Sequence, residues 1–147
     1  MGLDPAELGE GLAETRRYVL SHHEPEEWYR CYAPVVFGRR IRLCARCTGV
    51  YPGIALGVLA YFLAPGAVTG LAVVAAVPAP ALVDWTVTTF TDRRGTNPVR
   101  TATGAALGYG YGLGVARLLF EAALPVVAVG AVYAVAAGTL LYVNDEY

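Results

Sequence analysis

The chain has 147 residues, of which 56% are hydrophobic and 16% charged, with a formal net charge of −1. That length suits one ordinary domain, and both fractions depart from soluble averages in the direction of a membrane protein. The net charge says little beside its distribution: between Val50 and Thr91 only Asp84 is charged, and between Thr101 and Tyr142 only Arg117 and Glu121 are. All eleven basic residues are arginine, a bias that fits genome composition and also suits phosphate contacts. The residues ahead of the first apolar run are too charged for a signal peptide, so none is expected.

Asp4-Pro5-Ala6-Glu7 predicts a helix start, with Asp4 as cap, Pro5 in the first turn and Glu7 three residues after the cap. Leu8, Leu12, Val19 and His22 then fall at helical spacing, predicting a short amphipathic helix over residues 5–22, which Pro25 keeps from continuing. From Cys31 to Cys44 the strand formers Tyr32, Val35, Val36, Phe37, Ile41 and Leu43 predict a hairpin turning at Gly38-Arg39. In that register Phe37 faces Arg40, Val35 faces Arg42 and Cys31 lies opposite Arg46, so the hairpin carries a third cysteine to the Cys44-Ala-Arg-Cys47-Thr-Gly49 stretch. Two cysteines at this spacing reach one ion, and Gly49 would let backbone approach sulfur.

Four apolar segments follow, at about 48–64, 68–90, 101–120 and 125–143. The first is short for a span and holds Pro52 and Gly53 in its first turns. The second contains Pro78 and Pro80, which predict a kink with freed carbonyls. Arg117 and Glu121 close the third as a pair one turn apart. Short links at 65–67 and 122–124 predict antiparallel neighbours. Seven arginines precede the first span, three lie at 93–100, and the opposite face has Arg117 alone. This positive-inside bias predicts a cytoplasmic head, a cytoplasmic loop over 92–100, and both termini on the cytoplasmic side of the cell membrane. The expected architecture is an all-α membrane protein of four transmembrane helices (residues 48–147) with a small cytoplasmic zinc-binding head of helix plus hairpin (residues 1–47).

His22, His23, Cys31, Cys44 and Cys47 are the candidate metal ligands. Three thiolates and one imidazole make a closed tetrahedral site for Zn2+, which would be structural. Reduced cytoplasmic thiols favour ligation over a structural disulfide. A redox dithiol at Cys44 and Cys47, an iron-sulfur cluster, or three unrelated cysteines are the competing readings.

A second group gathers at the cytoplasmic edge of the second and third spans: Asp84, Asp92, Arg93, Asn97, Arg100 and Thr103, with Arg94 and Gly104 nearby. Asp84 lies six residues inside Phe90, roughly 9 Å down the helix at about 1.5 Å per residue, where a carboxylate must be paired or wetted. Arginine forks and the free N–H groups of a helix start would suit an anion or an anionic lipid. The alternative is a helix lock in which Asp84 pairs with Arg93 or Arg100. Gly104, Gly108 and Gly112, and Gly53 with Gly57, predict close helix contacts, within the chain or in a homo-oligomer. Tyr109 and Tyr111 beside them would pack or anchor. Nucleotide-binding, metalloprotease and hydrolase motifs do not occur, and the head arginines suit anionic lipid better than nucleic acid.

Cys44-Ala-Arg-Cys47-Thr-Gly-Val-Tyr-Pro-Gly53, the upstream His-rich segment ending at Arg30, and Asn97-Pro-Val-Arg100-Thr-Ala-Thr-Gly104 resemble a family of small prokaryotic membrane proteins, the domain-of-unknown-function family 2085. The resemblance runs from about His22 to Gly114. It implies a multi-span membrane protein and points at the same polar positions, without an activity. It also implies a Cys-His pair where this chain has His22-His23 and a serine where it has Cys31, so that one cysteine has moved and the metal set is kept. The choice between His22 and His23 stays open.

Two function classes follow. One is a non-enzymatic membrane protein with a structural zinc site, binding an anionic lipid or small anion at the cytoplasmic interface. The other is a metal-dependent membrane enzyme acting on a phosphate-bearing lipid, or a thiol redox protein. The absence of an evident general base favours the first.

Overall fold

A computed structural model describes residues 20–145 together with Glu7, Gly9, Gly11 and Thr15. The amphipathic helix expected over residues 5–22 therefore lies largely outside the described residues. From Leu20 the chain enters a 3-10 turn, Pro25–Arg30, and then a hairpin of four two-residue strands: β1 (Cys31–Tyr32), β2 (Val35–Val36), β3 (Arg39–Arg40) and β4 (Leu43–Cys44). β1 pairs antiparallel with β4, and β2 with β3.

The hairpin register differs from the expected one. Val36 faces Arg39 and Val35 faces Arg40, so the two-residue turn is Phe37-Gly38. Both of those residues have positive φ, 50° and 74°, the geometry whose twist matches the flanking strands. Glycine takes the second turn position, and Phe37 adopts the left-handed conformation at the tip, fully exposed. The shift moves the partner of Cys31 from Arg46 to Cys44. Each strand slips by one residue, so the change brings two cysteines face to face.

Helix α1 (Ala45–Leu63) starts at Ala45, earlier than the expected 48. Arg46 and Cys47 thus stand in its first turn, and Pro52 sits well inside the helix. The expected second span is three pieces, α2 (Gly66–Thr69), α3 (Leu71–Ala76) and α4 (Ala79–Phe90). The break before α4 falls at Val77-Pro78, as the prolines require. The break at Gly70, whose backbone is extended, was not expected. α5 (Asn97–Glu121) and α6 (Pro125–Asp145) complete the fold.

Among the described residues, three segments are long and apolar enough to cross a membrane: Ala45–Leu63, Gly66–Phe90 and Pro125–Asn144. The protein is mostly helical, with these three candidate spans and the small hairpin. α5 has the length but not the hydropathy, because five glycines, two threonines and three charged residues dilute it. It is instead the hub of the packing. Its buried residues include Gly104, Gly108, Gly110, Gly112, Gly114 and the fully buried Leu113.

Gly49, Gly53 and Gly57 of α1 meet Gly104, Gly108 and Gly112 of α5. A Cβ on Gly49 would overlap the Thr101 carbonyl oxygen, one on Gly53 that of Ala105, and one on Gly57 that of Tyr109. From the other side, Gly104 abuts the Arg46 carbonyl, Gly108 that of Val50 and Gly112 that of Ile54. Residue numbers rise together, so α1 and α5 run parallel, backbone on backbone. The principal partner of α1 is therefore the parallel α5, and not the segment that its short link joins to it. Gly49 serves this seam; its backbone is needed close to α5, which is a different requirement from approach to sulfur. The expected glycine faces are used within the chain. A second glycine pair on α5 admits the other helices: Gly110 lies against Pro78, and Gly114 against Val74 and Val126.

The broken span is tied down by side chains that reach its freed carbonyls. Tyr109 donates to the Val68 carbonyl at 2.9 Å, Arg117 to that of Thr69 at 3.0 Å, and Tyr133 to that of Ala75 at 2.6 Å. Arg117 also pairs with Glu121 at 2.9 Å, one turn apart as expected.

Candidate functional site

The chemistry gathers where the head meets the first turns of α1 and α5. The exit of the hairpin caps α1 with Cys44, and the chain just ahead of the 3-10 turn lays His22 and His23 against it. Donor atoms of His22, His23 and Cys44 all lie within 4.8 Å of one another, a group that could hold a metal ion. His23 Nε2 is 3.4 Å from Cys44 Sγ, and Cys47 Sγ is 4.0 Å from His22 Nδ1. Ligands about 2.0–2.3 Å from a tetrahedral zinc stand about 3.5 Å from one another, so these spacings suit one ion.

A residue outside the sequence-based set completes the geometry. Glu27, on the 3-10 turn, accepts a hydrogen bond from His23 Nδ1 at 2.9 Å, leaving Nε2 turned to Cys44. A carboxylate on the far nitrogen is what fixes the tautomer and heading of a metal-binding imidazole. The hydrogen bond from His23, helped by the charge of Arg30 at 3.0 Å, holds Glu27 below the usual carboxylate range against the opposing effect of burial. Burial, then the neighbouring His23, lowers the pKa of His22, which keeps it in the neutral form a metal needs. The spacing His23-x-x-x-Glu27 was visible in the sequence, but it reads as one surface pair among several acidic residues until the 3-10 turn is known.

The five expected ligands therefore divide. His22, His23 and Cys44 come together, and Cys47 adjoins them from α1. Cys31 is buried opposite Cys44, but its Sγ is 3.2 Å from the Ser21 hydroxyl. The three cysteines are free thiols.

The six expected anion-site residues do not form one site. Asp84 is ion-paired, and its partner is Arg46 on α1 rather than Arg93 or Arg100. Arg46 lies between the two cysteines of the knuckle, so the pair bolts α4 to the first turn beneath the head. Arg46 is distant from Asp84 in sequence and reaches it because α1 and α5 run parallel and bring their starts together beside α4.

Arg100 is buried at 3% exposure. Its guanidinium turns back over the loop, donating to Asn97 Oδ1 at 3.2 Å and to the Arg94 carbonyl. Gly95, with φ of 64°, makes the reversal that presents that carbonyl. Asn97 in turn donates from Nδ2 to the Cys31 carbonyl at 3.2 Å, and Thr101 links the Tyr32 hydroxyl to the Ala45 carbonyl, at 2.9 Å each. These residues hold the head on the bundle. Asp92 is exposed in the loop. Asp84, Arg93 and Thr103 instead share a groove of about 680 Å3 between α4 and α5, walled also by Thr88 and by apolar residues such as Val83, Val87 and Val99.

A smaller cavity, about 150 Å3, lies between head and bundle. It is lined by the His/Cys group together with Arg30, Arg46 and Arg100, and by Trp85, Thr88 and Thr89 of α4.

No curated protein and no solved structure matches the chain. The helices able to cross a membrane agree with a sequence family whose pattern covers residues 32–113, from the hairpin through the glycine seam, and the chain belongs to that family, the predicted membrane proteins of domain-of-unknown-function family 2085.

Proposed function

We propose that the chain is a four-crossing protein of the cytoplasmic membrane, with both termini and the head on the cytoplasmic side. Its head would hold one structural zinc ion, and its α4–α5 groove would take an anionic lipid. The observation that carries the zinc reading is His23, held at one nitrogen by Glu27 and turned by the other to Cys44. Two imidazoles, His22 and His23, with the thiolates of Cys44 and Cys47, fill a tetrahedral site. That geometry favours two nitrogens and two sulfurs over three sulfurs and one nitrogen, and leaves Cys31 beside the site. Four protein ligands leave no open position for water, which supports a structural role over a catalytic one.

The fourth crossing is supported by the parallel seam. α5 follows α1 backbone to backbone, so if α1 crosses, α5 crosses with it, shielded by its neighbours despite its modest hydropathy. The arginine asymmetry supports the orientation. In the groove, the apolar walls suit an acyl chain, and Arg93 at the head end suits its phosphate.

Metal analysis of the purified protein tests the zinc reading: about one zinc per chain is expected, and a metal-free protein with ordered head would sink it. Reporter fusions at Gly66 and Ala123 should both read the outer side. Native mass spectrometry should show retained anionic lipid that Arg93→Gln reduces; equal retention would remove the groove from the proposal.

A further inference from the structure

We infer that the cavity between head and bundle is a binding site for a phosphate-type oxyanion, held by Arg30, Arg46 and Arg100. Three guanidinium groups converge on its wall, and their counter-charges do not match them. Arg30 meets Glu27 at 3.0 Å and Arg46 meets Asp84. Arg100 has no carboxylate within ion-pair distance among the described residues. Its acceptors are neutral, Asn97 Oδ1 and the Arg94 carbonyl, and its other neighbour is the face of the Tyr29 ring at 5.5 Å. An arginine whose whole residue is only 3% exposed, beside a membrane, needs a negative charge nearby.

A second observation points the same way. Arg46 Nε is buried and has no hydrogen-bond partner, although its terminal nitrogen is engaged by Asp84. Two of the arginines that line the cavity are thus incompletely matched, Arg46 by an unpartnered N–H and Arg100 by an uncompensated charge. Threonines Thr88 and Thr89 line it beside Trp85. A forked, planar donor set of this kind matches the tetrahedral face of a phosphate.

Size narrows the ligand. The cavity of about 150 Å3 exceeds the share of one water, about 30 Å3, several times over. It is below the roughly 300 Å3 at which sites for drug-sized molecules begin. It has room for an oxyanion with a few waters and not for a nucleotide. The phosphate could arrive free from the aqueous side, or as the phosphomonoester headgroup of a lipid from the α4–α5 groove, since Thr88 lines both spaces. The site needs neither the zinc ion nor a lipid in the groove to be present.

The test uses the full chain in phosphatidylcholine nanodiscs. The protein has two tryptophans, so Trp28→Phe leaves Trp85 on the cavity wall as the reporter. Inorganic phosphate should change its emission saturably. Arg100→Gln and Arg30→Gln should each weaken that response about tenfold or more, the scale of a lost charge-assisted contact. Arg39→Gln, on the exposed hairpin tip, should leave it unchanged. Arg30 is near the surface, so its variant carries the test if Arg100→Gln does not fold. In a second arm, phosphatidic acid is added to the nanodiscs: suppression of the phosphate response assigns the site to a headgroup, and an unchanged response assigns it to free phosphate. No saturable response, or full phosphate affinity in both folded arginine variants, overturns the inference. Zinc content measured on the same samples keeps the two readings apart, because a full zinc complement without a phosphate response removes the cavity site alone.

Discussion

The α1–α5 seam and the head–bundle junction lie end to end and are held by opposite means. In the seam, backbone touches backbone through six glycines, each against a main-chain carbonyl of the other helix. At the junction almost every link is polar: the Arg46–Asp84 pair, Arg100 under its loop, Asn97 on the Cys31 carbonyl, and the His/Cys group. The contrast follows from solvent. In lipid, apolar side chains gain nothing by leaving hydrocarbon for one another, so close packing carries the helix contact. At the interface water competes for every polar group, and order requires charge pairs, buried donors or a metal.

This difference predicts where substitutions hurt most. In the seam there is no space to yield, because the obstacle is backbone on both sides. Gly53→Val or Gly108→Val should abolish the folded bundle, since overpacking costs about 1–3 kcal/mol even where side chains can shift. Gly130 of α6 has open space around it, and Gly130→Ala should be neutral or stabilise by up to about 1 kcal/mol. Size-exclusion profiles and thermal denaturation in detergent compare the two. A well-folded Gly108→Val protein would show that the seam is looser than a backbone contact.

Next in size is the junction. Asp84→Asn or Arg46→Gln should destabilise by up to about 3 kcal/mol, toward the low end for a buried pair because Arg46 is about a quarter exposed (24%). The double variant Asp84→Leu/Arg46→Leu should recover most of that loss if the pair acts as a lock. If the double variant is as unstable as either single one, the pair does more than hold α4 to α1.

The zinc site sharpens the comparison from the other end, because there a metal would stand in for packing. Cys44→Ser should lose the metal and disorder the head while the seam keeps the bundle folded. Cys31→Ser should retain zinc, as its thiol faces Ser21. Metal content by mass spectrometry, with near-ultraviolet circular dichroism for the head, reads both. Metal loss in Cys31→Ser equal to that in Cys44→Ser would restore the three-sulfur site.

Much of this was legible in the sequence, and the limits have physical causes. Apolar runs and i,i+4 glycines are local signals, so the helices and the tight seam could be read directly. Which helices meet was not local. The short links suggested neighbours in sequence, but the glycine faces of α1 and α5 select each other across the broken span. That one pairing decides the rest: it brings Arg46 to Asp84, where sequence proximity favoured Arg93 or Arg100, and it reassigns Gly49 from sulfur to helix packing. The hairpin register failed for a smaller reason. Gly38 can occupy either turn position, and the choice rested on Phe37 accepting a positive φ, which bulky residues seldom do. Glu27 escaped notice because an i,i+4 His–Glu pair is common on surfaces and gains meaning only beside Cys44.

The smallest effect concerns the broken span, where the two modes of cohesion meet inside the membrane. A break at Gly70 and another at Val77-Pro78 free carbonyls that lipid cannot satisfy. Tyr109, Arg117 and Tyr133 donate to the carbonyls of Val68, Thr69 and Ala75, two polar clamps on α2 ahead of the first break and one on α3 ahead of the second. Hydrogen bonds between membrane helices average only about 0.6 kcal/mol, because the separated helices find other partners. A carbonyl freed by a break has fewer alternatives, so Tyr133→Phe, which removes the 2.6 Å bond and little volume, should cost more than that average, about 1–2 kcal/mol. Tyr111→Phe is the control, since that ring is 61% exposed and its loss should be near zero. If the two variants denature together, the broken span is held by the packing of Gly110 and Gly114 against it, and the seam's mode of cohesion extends through the whole bundle.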